Sequence, residues 1–131
     1  MTTTGSDQRL LVQPASDIAE FNAHNVQVRP IFRRDAAGFE SSLSFVLYNR
    51  LPAGEVNERH VHEDVEKVYY FLKGEAELLC GPWTARARAG DFVFFPAAIE
   101  HQIRSLGPDD LEFVVCAAQT LGPPRGLTEE A

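Results

Sequence analysis

The sequence predicts an all-β fold, a sandwich or barrel of jelly-roll type. Short runs of alternating or continuous apolar residues recur along the 131 residues, and clusters of glycine, proline and aspartate separate them. No amphipathic helical period of useful length interrupts this pattern. The composition, 44% hydrophobic and 24% charged, is that of an ordinary globular domain, and the length suffices for one independent core.

The elements follow in order along the chain. Residues 1–12 are predicted to be disordered, residues 13–120 to form a single domain, and residues 121–131 to form a flexible tail. A single helical turn is predicted between Ser16 and Glu20, because a capping residue precedes a glutamate there. Apolar runs predict strands at 26–33, 39–51, 59–62, 67–72, 76–80, 84–89, 92–95, 101–105 and 111–118. Turn residues fill the gaps at Asp35 and Gly38, Pro52 and Gly54, Lys73-Gly74, Gly81-Pro82, Gly90-Asp91, and Gly107-Pro108-Asp109-Asp110.

Charge and cysteine content restrict the partners and the compartment. A formal net charge of −7 argues against nucleic acid or an anionic membrane as the main partner. No run approaches the roughly 20 apolar residues that a membrane span needs, and no signal-peptide pattern opens the sequence. Cys80 and Cys116 both lie in apolar runs, which is typical of buried thiols in a reducing compartment. We therefore expect a cytoplasmic protein.

Three of the four histidines fall inside two short stretches framed by glycines. His60 and His62 follow Gly54 after five residues, and alternate residues of a strand share one face about 6.5–7 Å apart. His101 follows Gly90, an apolar run and Pro96. The pattern predicts that three imidazoles from separate strands converge on one metal ion at the mouth of a barrel. His24 lies outside both stretches and is predicted to be a surface or strand-start residue.

These stretches resemble the two motifs of the cupin superfamily. The first is a glycine, five residues, His-x-His, three or four residues, Glu, six residues and Gly; the second is Gly-x5-Pro-x-Gly-x2-His-x3-Asn. Gly54, His60, His62 and Gly74 match the first motif, and Gly90, Pro96 and His101 match the second. The resemblance covers about residues 43–118. It implies a cupin-type double-stranded β-helix with His60, His62 and His101 as metal ligands.

The sequence departs from the motifs at three positions. Ala98 and Ser105 stand where the second motif has glycine and asparagine. Six residues before Gly74, where the first motif has its glutamate ligand, the sequence has Lys67, and Glu66 is one position away. Strand residues alternate between faces, so in a regular strand Lys67 and Tyr69 face one way and Glu66 the other.

Three arrangements of the fourth ligand position remain open. Lys67 faces the site as a neutral amine; a bulge turns Glu66 inward as a ligand; or Glu63 or Asp64 supplies the carboxylate. We retain Glu66 with the three histidines as candidate metal ligands, and Lys67 and Tyr69 as candidate catalytic residues.

The ligand set and the resemblance together predict the function. Imidazoles with at most one carboxylate suit one divalent ion among Fe, Mn, Zn, Ni and Cu, and three protein ligands leave coordination positions open. We expect a metal-dependent enzyme acting on a small organic substrate inside the barrel, foremost an oxygenase of dioxygenase type, then an isomerase or cyclase. The alternative is a non-catalytic small-molecule-binding or sensor protein. Small cupins commonly pair, and strand 26–33 would otherwise leave an open edge, so a homodimer is expected.

Overall fold

The computed structural model describes residues 10–34, 36, 39 and 41–120. A short 3-10 turn spans Ala15–Asp17, so the turn predicted between Ser16 and Glu20 begins and ends earlier, and Pro14 precedes it without a side-chain cap. The strands are β1 Phe21–Ala23, β2 Val26–Arg33, β3 Leu43–Leu51, β4 Val65–Lys73, β5 Glu75–Cys80, β6 Trp83–Arg88, β7 Phe92–Phe95, β8 His101–Ser105 and β9 Leu111–Gln119. Residues 1–9 of the predicted disordered segment 1–12, and the whole predicted tail 121–131, lie outside the described residues; residues 10–12 form no helix or strand.

Two sheets pack around one core. The larger sheet has the order β1-β2-β3-β9-β4-β7 and the smaller has the order β6-β5-β8. Strands distant in sequence are therefore neighbours in each sheet, as in a jelly roll, and the prediction of an all-β jelly-roll fold is confirmed. Fully buried side chains from both sheets fill the space between them: Phe71, Phe95, Phe113, Leu51, Ile103 and Leu111.

Strand β4 determines which residues reach the interior beside the site. It pairs with β9 in continuous register from Val65 to Phe71, and the irregularity in this pairing lies only beyond Phe71. Successive side chains therefore alternate between faces without a bulge at Glu66. Lys67 and Tyr69 face the interior, 5% and 4% exposed, while Val68 on the opposite face is 41% exposed.

Two predictions about strands need correction. Residues 59–62 do not form a strand: His60 makes an isolated bridge to His101, and the segment around it is irregular. Strand β1 was not predicted, because its three residues, Phe21–Ala23, are too few to show a period. It pairs with β2 along Val26–Val28 and so covers part of the edge that was expected to be open.

Both cysteines are free and partly buried, so the predicted unpaired thiols are present while full burial is not. Within the described ranges, no helix is long and apolar enough to cross a membrane.

Candidate metal centre

Three histidines from both motif stretches converge at one end of the cavity between the sheets. One ring nitrogen from each of His60, His62 and His101 lies within 4.8 Å of the others. Backbone hydrogen bonds fix their spacing: the amides and carbonyls of His60 and His101 bond each other at 3.3 and 3.0 Å. The amide of Ala98 donates to the carbonyl of His62 at 2.7 Å. The irregular loop and the start of β8 thus bring the three rings together.

Hydrogen bonds also select the ring nitrogen that His60 and His101 present. Nδ1 of His60 lies 2.7 Å from the carbonyl oxygen of Glu58, and Nδ1 of His101 lies 3.2 Å from that of Ile99. A carbonyl only accepts hydrogen bonds, so each Nδ1 carries the proton and each Nε2 is left unprotonated, with a lone pair that can be donated. Metal-binding histidines have this same arrangement.

Burial keeps the three imidazoles neutral. It lowers the pKa of His101 to about 3 and that of His62 to about 4, with the nearby Lys67 charge adding to both effects. Burial likewise lowers the pKa of His60. Neutral imidazoles are the form that binds metal, so this donor set fits a divalent ion near pH 7.

Lys67 lies directly beside the three histidines. Its Nζ is 3.4 Å from Nε2 of His101, and burial lowers its pKa to about 8. Among the residues that the structure describes, no carboxylate pairs with this amine. The site therefore holds a buried nitrogen donor that no carboxylate of the described residues neutralises.

Glu66 is not brought to the histidines. The regular alternation of β4 directs it to the opposite face from Lys67, and it is absent from the group of converging ligand atoms. Glu63 and Asp64 are exposed, and the Asp64 carboxylate accepts a 3.4 Å hydrogen bond from Gln119. Within the described residues, the three histidines therefore converge without a carboxylate.

A cavity of about 670 Å³ extends from this cluster into the interior. His60, His62, Lys67 and Tyr69 line it together with a mainly apolar wall: Val26, Val28, Leu47, Phe113 and Val115. The Tyr69 ring stacks on Phe113 with centroids 5.2 Å apart, and burial raises the pKa of its hydroxyl. No described residue hydrogen-bonds this hydroxyl, which leaves it free to meet a ligand.

His24 is exposed at the turn that precedes β2, as predicted, but its position beside the histidine cluster was not predicted. It occupies the tight turn between β1 and β2, lines the cavity, and stacks on His60 with ring centroids 4.8 Å apart. The signal was faint, since the residue lies outside both motifs and β1 is only three residues long. Its placement at the site depends on the pairing of β1 with β2.

Comparison with known proteins agrees with this geometry. The family model described as Cupin domain matches residues 47–117. The chain belongs to the cupin family. An oxalate-binding protein from Thermotoga maritima is 34% identical over 65 residues, which are 50% of this chain and 54% of that protein. This chain therefore spans about half the length of that curated relative.

Solved cupin structures share the fold. A predicted oxalate decarboxylase from Thermotoga maritima has a TM-score of 0.75 and 24% identity, with 84% of this chain and 100% of that one covered. A Cupin 2 conserved barrel domain protein from Salinispora arenicola has a TM-score of 0.71 and 15% identity, covering 85% and 90%.

One of the departures from the cupin motifs, Ala98, has a local explanation. Ala98 has φ +64°, the left-handed conformation for which the motif supplies glycine, and it holds the carbonyl of His62 there. The matching glycine Gly74 has φ +88°, and a Cβ on it would lie 2.8 Å from the Asp110 carbonyl oxygen. Ser105 is buried, and its hydroxyl oxygen has no hydrogen-bond partner among the described residues.

Proposed function

We propose that this cupin is a metal-dependent enzyme that acts on a small oxygen-bearing organic substrate, foremost as a dioxygenase. The observation that carries the proposal is the donor set: three neutral imidazoles, without a converging carboxylate, at the end of a largely apolar cavity. His60, His62 and His101 would hold one ion of Fe, Mn, Zn, Ni or Cu. The ion would supply Lewis acidity or, if redox-active, O₂ activation, because three protein ligands leave positions open.

The chain's own residues would orient the substrate and move its protons. Lys67 Nζ donates toward Nε2 of His101 at 3.4 Å, close enough to reach an oxygen of a molecule bound at the same place. The Tyr69 hydroxyl, on the same face of β4, supplies a second donor. The apolar wall would exclude water from the reacting atoms.

A second candidate is an isomerase or cyclase acting on an enolisable substrate. The observation that favours it is the pair of proton-carrying groups, Lys67 and Tyr69, that line one cavity. One group would remove a proton and the other return it, with no net oxidation of the substrate.

A third candidate is a binding protein without catalysis. The support is the relative named an oxalate-binding protein, which is 34% identical over half of this chain. A dicarboxylate would bind the ion through its oxygens and accept from Lys67, and it need not react. Small di- and monocarboxylates are therefore the first ligands to test.

Metal analysis followed by O₂ uptake separates these candidates. The protein is purified without chelator and without a histidine tag, its metal content is measured, and O₂ consumption is followed with a panel of small carboxylic and dicarbonyl compounds. Bound iron or copper with substrate-dependent O₂ uptake supports the dioxygenase. Bound zinc with an O₂-independent conversion supports the isomerase or cyclase, and saturable binding without conversion supports the binding protein. Failure to retain any of the five metals after supplementation would overturn the metal centre itself.

We further propose a cytoplasmic homodimer. Free Cys80 and Cys116 are compatible with a reducing compartment. β1 covers part of β2, so we expect the dimer contact at β7, the other edge of the large sheet. Phe92 and Phe94 on β7 are 72% and 57% exposed. At about 200 Å² per phenylalanine, they expose roughly 250 Å² of apolar surface at this sheet edge, which a second copy of the chain would cover. Light scattering at micromolar concentration should show twice the chain mass of 14.6 kDa.

A further inference from the structure

The β1–β2 turn carries an imidazole directly against the candidate metal ligand His60. The two rings are nearly parallel, with an interplanar angle of 10° and centroids 4.8 Å apart. His24 lines the cavity from its rim, where its side chain is 53% exposed. It is not among the residues whose nitrogens converge. In this stack the ring plane of His24 is parallel to that of His60, and its nitrogens do not converge with those of the three candidate ligands.

Glu58 ties the two histidines together through three separate groups. Its amide donates to the carbonyl of His24 at 2.9 Å, and its own carbonyl accepts from Nδ1 of His60 at 2.7 Å. Its carboxylate oxygen Oε1 lies 3.4 Å from Nδ1 of His24. The ring of His24, the ring of His60 and Glu58 therefore form one closed set of contacts at the edge of the cavity.

The turn that carries His24 has a left-handed backbone conformation that most residue types avoid. His24 and Asn25 form a two-residue hairpin loop with φ of +54° and +66°, a conformation that favours asparagine or glycine at both positions. Asn25 obeys that preference, and its side-chain amide anchors the loop on the Val56 carbonyl at 2.7 Å. Histidine fits this conformation less well than asparagine or glycine does. Residues held in sparsely populated conformations cluster at functional sites, which directs attention to its ring.

We propose that His24 is a positioning residue that strengthens metal binding by His60. An imidazole that gives its lone pair to a cation becomes electron-poor, and a neutral ring stacked on it interacts more favourably than it does with the free ligand. The Glu58 carboxylate, 3.4 Å from Nδ1 of His24, adds negative charge beside this pair. Outer contacts of this kind hold ligand rings in place and raise metal affinity. The inference rests on the proposed metal centre.

Substitution of His24 by asparagine tests the proposal, because asparagine suits the turn and cannot stack. Purified protein is stripped of metal, and three quantities are measured for wild type and His24→Asn: the melting temperature without metal, the affinity for Co²⁺, and the visible absorption spectrum of the Co²⁺ form. We expect an unchanged or higher melting temperature, Co²⁺ affinity lower by roughly 10- to 100-fold, and an altered spectrum. His24→Phe, which keeps an aromatic ring, should recover part of the affinity.

Glu58→Gln gives the intermediate case. It keeps every backbone bond of Glu58 and removes only the negative charge, so Co²⁺ affinity should fall by less than it does in His24→Asn. Equal Co²⁺ affinity and identical spectra for wild type and His24→Asn would overturn the role of His24 while leaving the metal centre intact. Wild-type protein that binds no Co²⁺ would overturn the metal centre and this inference together.

Discussion

The two faces of β4 and its neighbour β7 differ sharply in burial. On the inner face, Lys67 and Tyr69 lie in the cavity wall, and Phe95 packs within 5.0 Å of the His101 ring. On the outer face, one residue away in sequence, Val68 and Phe94 meet solvent. A single step along each strand therefore separates the candidate catalytic residues from the candidate dimer surface. Matched substitutions of sequence neighbours therefore test the comparison directly.

The adjacent phenylalanines of β7 should show the largest contrast. Phe95 is 1% exposed and its ring lies 4.7 Å from Tyr69, whereas Phe94 is 57% exposed. Phe95→Ala leaves a cavity in the core and should cost about 3–5 kcal/mol of unfolding free energy. Phe94→Ala should change it by less than about 0.5 kcal/mol in the monomer. Urea denaturation of metal-free protein measures both, and equal losses would show that the two faces are not as distinct as described.

Lys67 and Glu66 form the second matched pair. Burial lowers the pKa of Lys67 from 10.5 to about 8, which corresponds to a cost of about 3 kcal/mol for burying the ammonium. Lys67→Met should therefore raise the unfolding free energy of metal-free protein by up to about 3 kcal/mol at pH 7. Glu66→Gln should leave both stability and metal content unchanged. Metal loss in Glu66→Gln would show that the carboxylate reaches the ion after all.

The same buried amine predicts how stability depends on pH. Because the pKa of Lys67 is lower in the folded protein, the unfolded chain binds more protons between about pH 8 and 10.5. The unfolding free energy of metal-free protein should therefore rise across the lower part of that window, before the tyrosines ionise. Lys67→Met should remove this rise. Urea midpoints from pH 7 to 9.5 for the two proteins give the comparison, and parallel curves would contradict it.

Tyr69 and Tyr70 should give the smallest contrast in stability. Tyr69 is buried with a hydroxyl that no described residue hydrogen-bonds, and Tyr70 lies on the outer face against Phe92. Tyr69→Phe should change stability by no more than about 1 kcal/mol, because this hydroxyl is not among the fully buried, unpaired polar groups of the described residues, and it should weaken ligand turnover or binding. Tyr70→Phe should leave both nearly unchanged. Unaltered substrate kinetics in Tyr69→Phe would remove this hydroxyl from the proposed function.

The strands were predictable because their signal is local. Residues 26–33 and 92–95 agree with β2 and β7 to the residue, since turn signals bound each apolar run. The motif spacing also selected His60, His62 and His101, which the fold brings together. The prediction of a strand around His60 was wrong, because the conformation of this segment depends on a bridge to His101, forty-one residues later.

Other features depend on contacts that a single sequence does not display. The choice between Lys67 and Glu66 required the register of β4 against β9, a pairing of distant segments. The stacking of His24 required the pairing of β1 with β2 and the bonds of both histidines to Glu58. Composition and period describe each segment alone, and these placements are properties of pairs of segments.

The backbone bridge between His60 and His101 holds two of the three candidate ligands together, and it can form or open locally. Two reciprocal backbone bonds join these residues, and on the His60 side no regular strand continues them. Such a bridge can open while both sheets stay intact, so its two amides should exchange with solvent through a small opening and not through global unfolding. An ion held by both rings would close that opening. Hydrogen–deuterium exchange at these two amides would then respond to metal occupancy, and the core of the sheets would not.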